Sequence, residues 1–133
     1  MQRDNETLNL YDESLQRVNG TLYRYNEEAP LAVYILNNMT IQDRAEYDTY
    51  LRAFLGVFRK YQGEILAAVD RPEPIEGEWP YDRTILLRFP SREEALRWSE
   101  SPEYQEIAQH RWNSTQSNVV ILDEFAPPSD SRF

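Results

Sequence analysis

The sequence predicts an α+β domain in which a four-stranded antiparallel sheet carries two helical regions on one face. Three observations carry that expectation. Four apolar segments have the length and residue types of strands. Two other segments place large side chains at three-four spacing behind capping residues. Between about residues 31 and 125 the order is strand, helix, strand, strand, helix, strand, and helical crossovers of one hand then put both helices on the same side of the sheet. A chain of 133 residues is long enough for one such domain with a modest core.

The first strand, "LAVYILNNMT" (residues 31–40), is apolar and partly β-branched, with Pro30 before it and polar residues after it. The first helix is expected in "TIQDRAEYDTYLRAFLGVFRKYQG", with Thr40 as N-cap, Asp43 in the capping-box position and Gly63 at the close. Within it Tyr47, Leu51, Phe54, Phe58 and Tyr61 recur at spacings of four, three, four and three, which gathers them on one face.

"EILAAVD" (residues 64–70) and "RTILLRF" (residues 83–89) read as the next two strands. In the latter Ile85, Leu87 and Phe89 face one way and Thr84, Leu86 and Arg88 the other. A hairpin between them needs about two to five residues, yet the chain runs through "DRPEPIEGEWPYD" (residues 70–82). "PSREEALRW" opens a helix with Ser91 as N-cap and Glu94 completing a capping box. Ser101 and Pro102 restart it in "SPEYQEIAQHRW", so a break is expected near residues 99–101. "NVVILDEF" (residues 118–125) supplies the last strand, and residues 126–133 are expected to form a flexible tail.

Residues 1–30 stand apart as an extension. Leu8, Tyr11, Leu15, Val18 and Leu22 share three-four spacing, and Gly20 could end a helix that starts near Asn5, so an amphipathic helix is one reading. Disorder is the other, given the many Asn, Asp and Glu residues.

Composition narrows the function classes. Acidic residues exceed basic ones by nine, and thirteen of the fourteen basic residues are Arg scattered beside carboxylates, so neither a nucleic acid nor a membrane surface is an expected partner. Cysteine is absent, which removes disulfides, thiolate metal sites and cysteine nucleophiles. No apolar run has the character of a signal peptide or a membrane span, and a cytoplasmic protein is expected. Glu76, Glu78 and Asp82 match no calcium-loop spacing, no phosphate-cradling glycine loop exists, and neither a metal nor a cofactor is expected.

"IEGEWP", "ILLRFPSREEALRWSESPEYQEI" and "VVILDEF", in that order, resemble the domain-of-unknown-function family 1330 over about residues 31–125. The resemblance implies a ferredoxin-like fold and a homodimer, two chains packing sheet against sheet as a dimeric α+β barrel. It also implies that the long connection packs at the dimer interface, with Ile75 and Trp79 as anchors. The rival reading of that connection is a loop closing over a ligand, with Glu76 as its polar group. Arg71 and Pro72 stand where the family usually has a glycine pair, and Phe125 follows Glu124 where it usually has glycine.

Several residues qualify as a site. Tyr47, Tyr50 and Tyr104 fall on helix faces expected to cover the sheet, where they either line a pocket or simply fill the core. Arg111 either clamps an anion or pins its helix through an ion pair with Glu64, Asp123 or Glu124. His110, the only histidine, is a weak catalytic candidate with Arg111, and its other reading is a solvated helix residue. Two functions follow: a homodimer binding a small apolar or aromatic molecule between sheet and helices, or a cofactor-independent monooxygenase-like or isomerase-like enzyme acting on a small organic substrate.

Overall fold

The computed structural model describes residues 15–18, 21–24 and 31–126. The chain divides into two units, Met1–Pro30 and Leu31–Phe133. In the first, β1 (Leu15–Val18) pairs antiparallel with β2 (Thr21–Arg24), Val18 opposite Thr21. This corrects the helical reading of these eight residues; the remainder of that expectation, and the tail after residue 126, lie outside the described residues. The overlooked signal is the Asn19-Gly20 dipeptide between two short segments, which favours a hairpin over the three-four spacing that suggested a helix.

The second unit comprises β3 (Val33–Ile41), α1 (Arg44–Phe58), β4 (Glu64–Asp70), β5 (Arg83–Phe89), α2 (Arg92–Ser99), α3 (Pro102–Ser114) and β6 (Thr115–Asp123). Its four strands form an antiparallel sheet in the order β4-β5-β3-β6. Helix α1 starts four residues after Thr40, because Asp43 is the N-cap and accepts from Glu46 N at 3.2 Å. Tertiary pairing moved that boundary: Thr40 and Ile41 stay in the ladder opposite Gln116 and Thr115, and Gln42 N and Asp43 N donate to Ser114 O. Ser91 and Ser101 cap α2 and α3 through Glu94 N and Tyr104 N, both at 3.1 Å, with Pro102 opening α3 where its missing N–H costs nothing.

Register sets the two faces of the sheet. Ile35, Asn37 and Met39 of β3 lie beside Leu87, Ile85 and Arg83 of β5 and turn toward the helices. There Phe58, Phe89, Trp98 and Tyr104 form a continuous aromatic core, with centroids 5.7 Å apart for Phe58 and Phe89, 5.3 Å for Phe89 and Trp98, and 4.3 Å for Trp98 and Tyr104. Gly63 is required where the chain leaves α1, since a Cβ there would run into the Phe58 ring and approach Phe89 Cε1 to 2.8 Å. Among the described residues none of the three helices covers the opposite face. Val69, Val120 and Leu122 are 43 to 48% exposed on or beside it.

The long connection belongs to that opposite face. Its base is closed by Arg71 N donating to Asp82 O (2.8 Å), by Ile41 N donating to Asp82 Oδ2 (2.7 Å) and by the Asp70–Arg83 ion pair (2.7 Å). Arg71 and Gly77 both take positive φ, 52° and 71°, which bends the path at two points. Trp79 Nε1 donates to Thr84 Oγ1 at 3.0 Å, which in turn donates to Asn38 Oδ1, so the indole lies over outward-facing residues of β5 and β3. Ile75 is fully exposed at the tip.

Candidate functional site

A cavity of about 440 Å³ lies between the sheet and the helices. Tyr47, Tyr50 and Phe54 enter it from α1, Trp98 from α2, Tyr104 and Arg111 from α3, and Ile35, Asn37, Ile85 and Ile121 from the sheet. Helical spacing explains the convergence. Positions 47, 50 and 54, and 104, 108 and 111, recur at the three-four interval that holds a side chain on the inner stripe, and Tyr47, Tyr50, Tyr104 and Arg111 are all more than nine-tenths buried.

Hydrogen bonds join the polar groups of the cavity in two separate sets, Tyr50–Tyr104–Arg111 and Arg83–Tyr47. Tyr50 Oη and Tyr104 Oη share a hydrogen bond of 2.9 Å, and Arg111 Nη2 donates to Tyr104 Oη at 3.5 Å, near the limit of such a contact. The Arg111 guanidinium also sits 5.8 Å from the Tyr50 ring centroid. Arg83 Nε donates to Tyr47 Oη at 3.1 Å, but Arg83 is already committed to Asp70. Burial pushes the Tyr47 phenol up against the pull of Arg83, and burial together with the Tyr104 hydroxyl pushes Tyr50 well above its ordinary value of 10.0. Both remain neutral hydroxyls at physiological pH. Burial opposes the Arg111 charge, while Tyr104 and Tyr50 favour it enough to leave its pKa above the ordinary value.

Arg111 is the anomaly. Among the described residues no carboxylate pairs with it: Glu64 and Glu124 pair with Arg88 at 3.4 and 3.7 Å, and Asp123 pairs with Arg92 at 3.1 Å. The ion-pair reading of Arg111 is therefore corrected, because the outward-facing Arg88 and the exposed Arg92 reach those carboxylates first. Its Nε is buried without a hydrogen-bond partner, as are Asn37 Oδ1 and Trp98 Nε1, all three on residues that line the cavity. An unpaired buried polar group ordinarily costs about 1–3 kcal/mol, and more when charged.

The other candidates fall elsewhere. His110 is half-exposed and its Nδ1 lies 2.9 Å from Glu46 Oε2 on the first turn of α1, outside the cavity. One residue of helical rotation, about 100°, separates it from Arg111. Glu76 is exposed on the long connection and does not border the cavity, since that connection crosses the other face of the sheet; Ile75 and Trp79 lie there too. Asn37 was missed by sequence reasoning, although a polar residue alternating with Ile35 and Met39 was a usable signal. The described lining holds no Asp, Glu, His or Lys. Among the described residues no group of three His, Cys, Asp or Glu could hold a metal, and no helix is long and apolar enough to cross a membrane.

Strand order and helix placement define a ferredoxin-like α+β domain. The chain belongs to DUF1330, a family of domains of unknown function, whose pattern matches residues 32–125. Solved structures share the fold at low identity. A protein of unknown function from Rhodopseudomonas palustris is 18% identical, with a TM-score of 0.63 over 77% of this chain and 88% of its own. SnoaB, a cofactor-independent oxygenase from Streptomyces nogalater, is 12% identical, with a TM-score of 0.55 over 72% and 95%. A DABB-family protein with a ferredoxin-like fold from Mesorhizobium loti is 11% identical, with a TM-score of 0.53 over 72% and 99%. No curated protein matches the chain.

Proposed function

We propose that the protein is a cytoplasmic homodimer whose barrel domain binds a small apolar or aromatic molecule between the sheet and the helices. The observation that carries this reading is the cavity itself, about 440 Å³ and walled by Tyr, Phe, Trp and aliphatic side chains around a few polar atoms. Binding is favoured over catalysis because the described lining offers no carboxylate or imidazole to act as a general base, and burial holds the Tyr47 and Tyr50 phenols neutral. The oxygenase-like alternative would have to draw its proton acceptor from the substrate or from solvent.

The dimer rests on the uncovered sheet face. Val69, Val120 and Leu122 remain about half-exposed there, and Trp79 extends the apolar surface from the long connection. A second copy covering that face would remove the patch, with Ile75 at the tip free to insert into the partner. The test of the binding reading is fluorescence titration with a neutral aromatic probe, 2-naphthalenemethanol, against the wild type and Ala68→Trp. Ala68 borders the cavity from the exposed edge strand, so a large ring there takes up cavity space with little cost to the core. Saturable binding that Ala68→Trp removes is expected; binding that is absent, or indifferent to the substitution, contradicts the reading. Cell fractionation checks the location.

A further inference from the structure

We propose that the physiological ligand is an organic acid, an aromatic or similarly flat apolar body carrying one anionic group that Arg111 neutralises inside the cavity. This rests on the binding reading above and names the chemistry of its ligand.

Arg111 is 8% exposed, on the inner face of α3, and its charge has no carboxylate partner among the described residues. A buried lysine or carboxylic acid in such a place can shed its charge, whereas a guanidinium stays protonated throughout the accessible pH range. The positive charge is therefore permanent, and its present neighbours are the Tyr104 hydroxyl at the distance limit and Tyr50, through both its hydroxyl and the face of its ring. Nε of the same side chain has no partner at all. A carboxylate is the group that suits this side chain, because its two oxygens can accept from the guanidinium as parallel charge-assisted bonds. Asn37 and Trp98 each bring one further buried polar atom without a partner to the same cavity, which would hold a second hydrogen-bonding group on the ligand.

The site is also reachable. Arg111 and Val119 border a second hollow, together with Trp112, Thr115 and Ser117, so the guanidinium stands where the interior meets a polar opening. The Thr115 and Ser117 hydroxyls lie 2.8 Å apart there. An acid entering from this side would trade its water for hydroxyls before it meets the charge. The apolar walls around Tyr50 and Phe54 account for the remainder of the ligand.

The experiment is a calorimetric comparison of two acids, benzoate and 2-naphthoate, with their neutral alcohol counterparts, benzyl alcohol and 2-naphthalenemethanol, on the full chain and on Arg111→Met and Arg111→Lys. The acids are expected to bind the wild type about tenfold to a hundredfold more tightly than the matching alcohols, the range for a charge-assisted hydrogen bond out of water. Arg111→Met should erase that preference while leaving the alcohols bound, and Arg111→Lys should retain part of it. Equal binding of acids and alcohols to the wild type overturns the acid proposal and leaves the cavity reading standing. A preference that survives in Arg111→Met overturns the role of Arg111. Failure of all four compounds to bind overturns the cavity reading and the acid proposal together.

Discussion

Arg111→Met is expected to stabilise the folded protein. Methionine follows nearly the same path along the inner face of α3 and fills much of the same volume without a charge. What is lost is a 3.5 Å contact to Tyr104 Oη, an interaction with the Tyr50 hydroxyl, and a guanidinium 5.8 Å from the Tyr50 ring, the last worth about 0.5–2 kcal/mol by the range for cation–π pairs. What is relieved is larger. A cation that is 8% exposed and lacks a carboxylate carries a desolvation penalty of several kcal/mol, and replacing buried ionic groups with well-packed apolar ones is commonly neutral or stabilising by about 1–4 kcal/mol. A net gain of about 1–2 kcal/mol is expected. For a domain near this size each kcal/mol moves Tm by about 4–8 °C, so thermal and urea melts followed by circular dichroism resolve it readily. A loss of about 2 kcal/mol or more would refute the reasoning, because it would mean that the guanidinium serves the Tyr50–Tyr104 network and is not held in reserve for a ligand.

Gly63→Ala should destabilise by about 1–3 kcal/mol, the ordinary cost of overpacking, as the new methyl would drive into the Phe58 and Phe89 rings; unchanged urea midpoints would show that the rings yield. Acid should weaken the fold through Glu94, whose carboxyl is held below its ordinary 4.5 by the Arg97 guanidinium and further by Gln62 N. A lowered folded pKa means that its stabilisation is complete above the unfolded value and lost as pH falls through the folded one. Glu94→Gln should therefore flatten the stability profile below about pH 4.5, and an unaltered slope between pH 3 and 5 would exclude this pair as a cause. Trp79→Ala should raise the dimer dissociation constant at least tenfold in sedimentation velocity, since buried tryptophans commonly dominate interfaces; a dimer that persists unchanged on dilution would exclude the arm.

Sequence and structure agree where local rules and tertiary demands coincide. The Ser91 and Ser101 caps, Pro102 at the start of α3 and the aromatic stripe of α1 are local signals that nothing in the fold overrides. Helix-face reasoning also put Tyr47, Tyr50 and Tyr104 over the sheet and Arg111 on the inner side of its helix, without showing that the four would meet. Thr40 was a plausible cap only until β6 paired with β3 and drew residues 40 and 41 into the sheet. At residues 15–18 and 21–24 a hairpin signal competed with a helical spacing, and strand pairing prevailed. His110 and Glu76 were attractive as ionisable groups, but ionisation says nothing of direction, and one lies across from Glu46 while the other rides the far face of the sheet. That Arg111 is unpaired could not be read at all, because it depends on which arginines reach Glu64, Asp123 and Glu124 in space.

The most direct measurement is the Nε–Hε resonance of Arg111 in protein with ¹⁵N-labelled arginine, assigned by comparison with Arg111→Lys and followed through a titration with 2-naphthoate. The account predicts a saturable downfield shift of that resonance, as the buried N–H acquires an acceptor, while that of Arg83, whose Nε–H already donates to Tyr47 Oη, moves little. An Arg111 resonance that stays in place while the cavity is occupied would contradict the account at its centre.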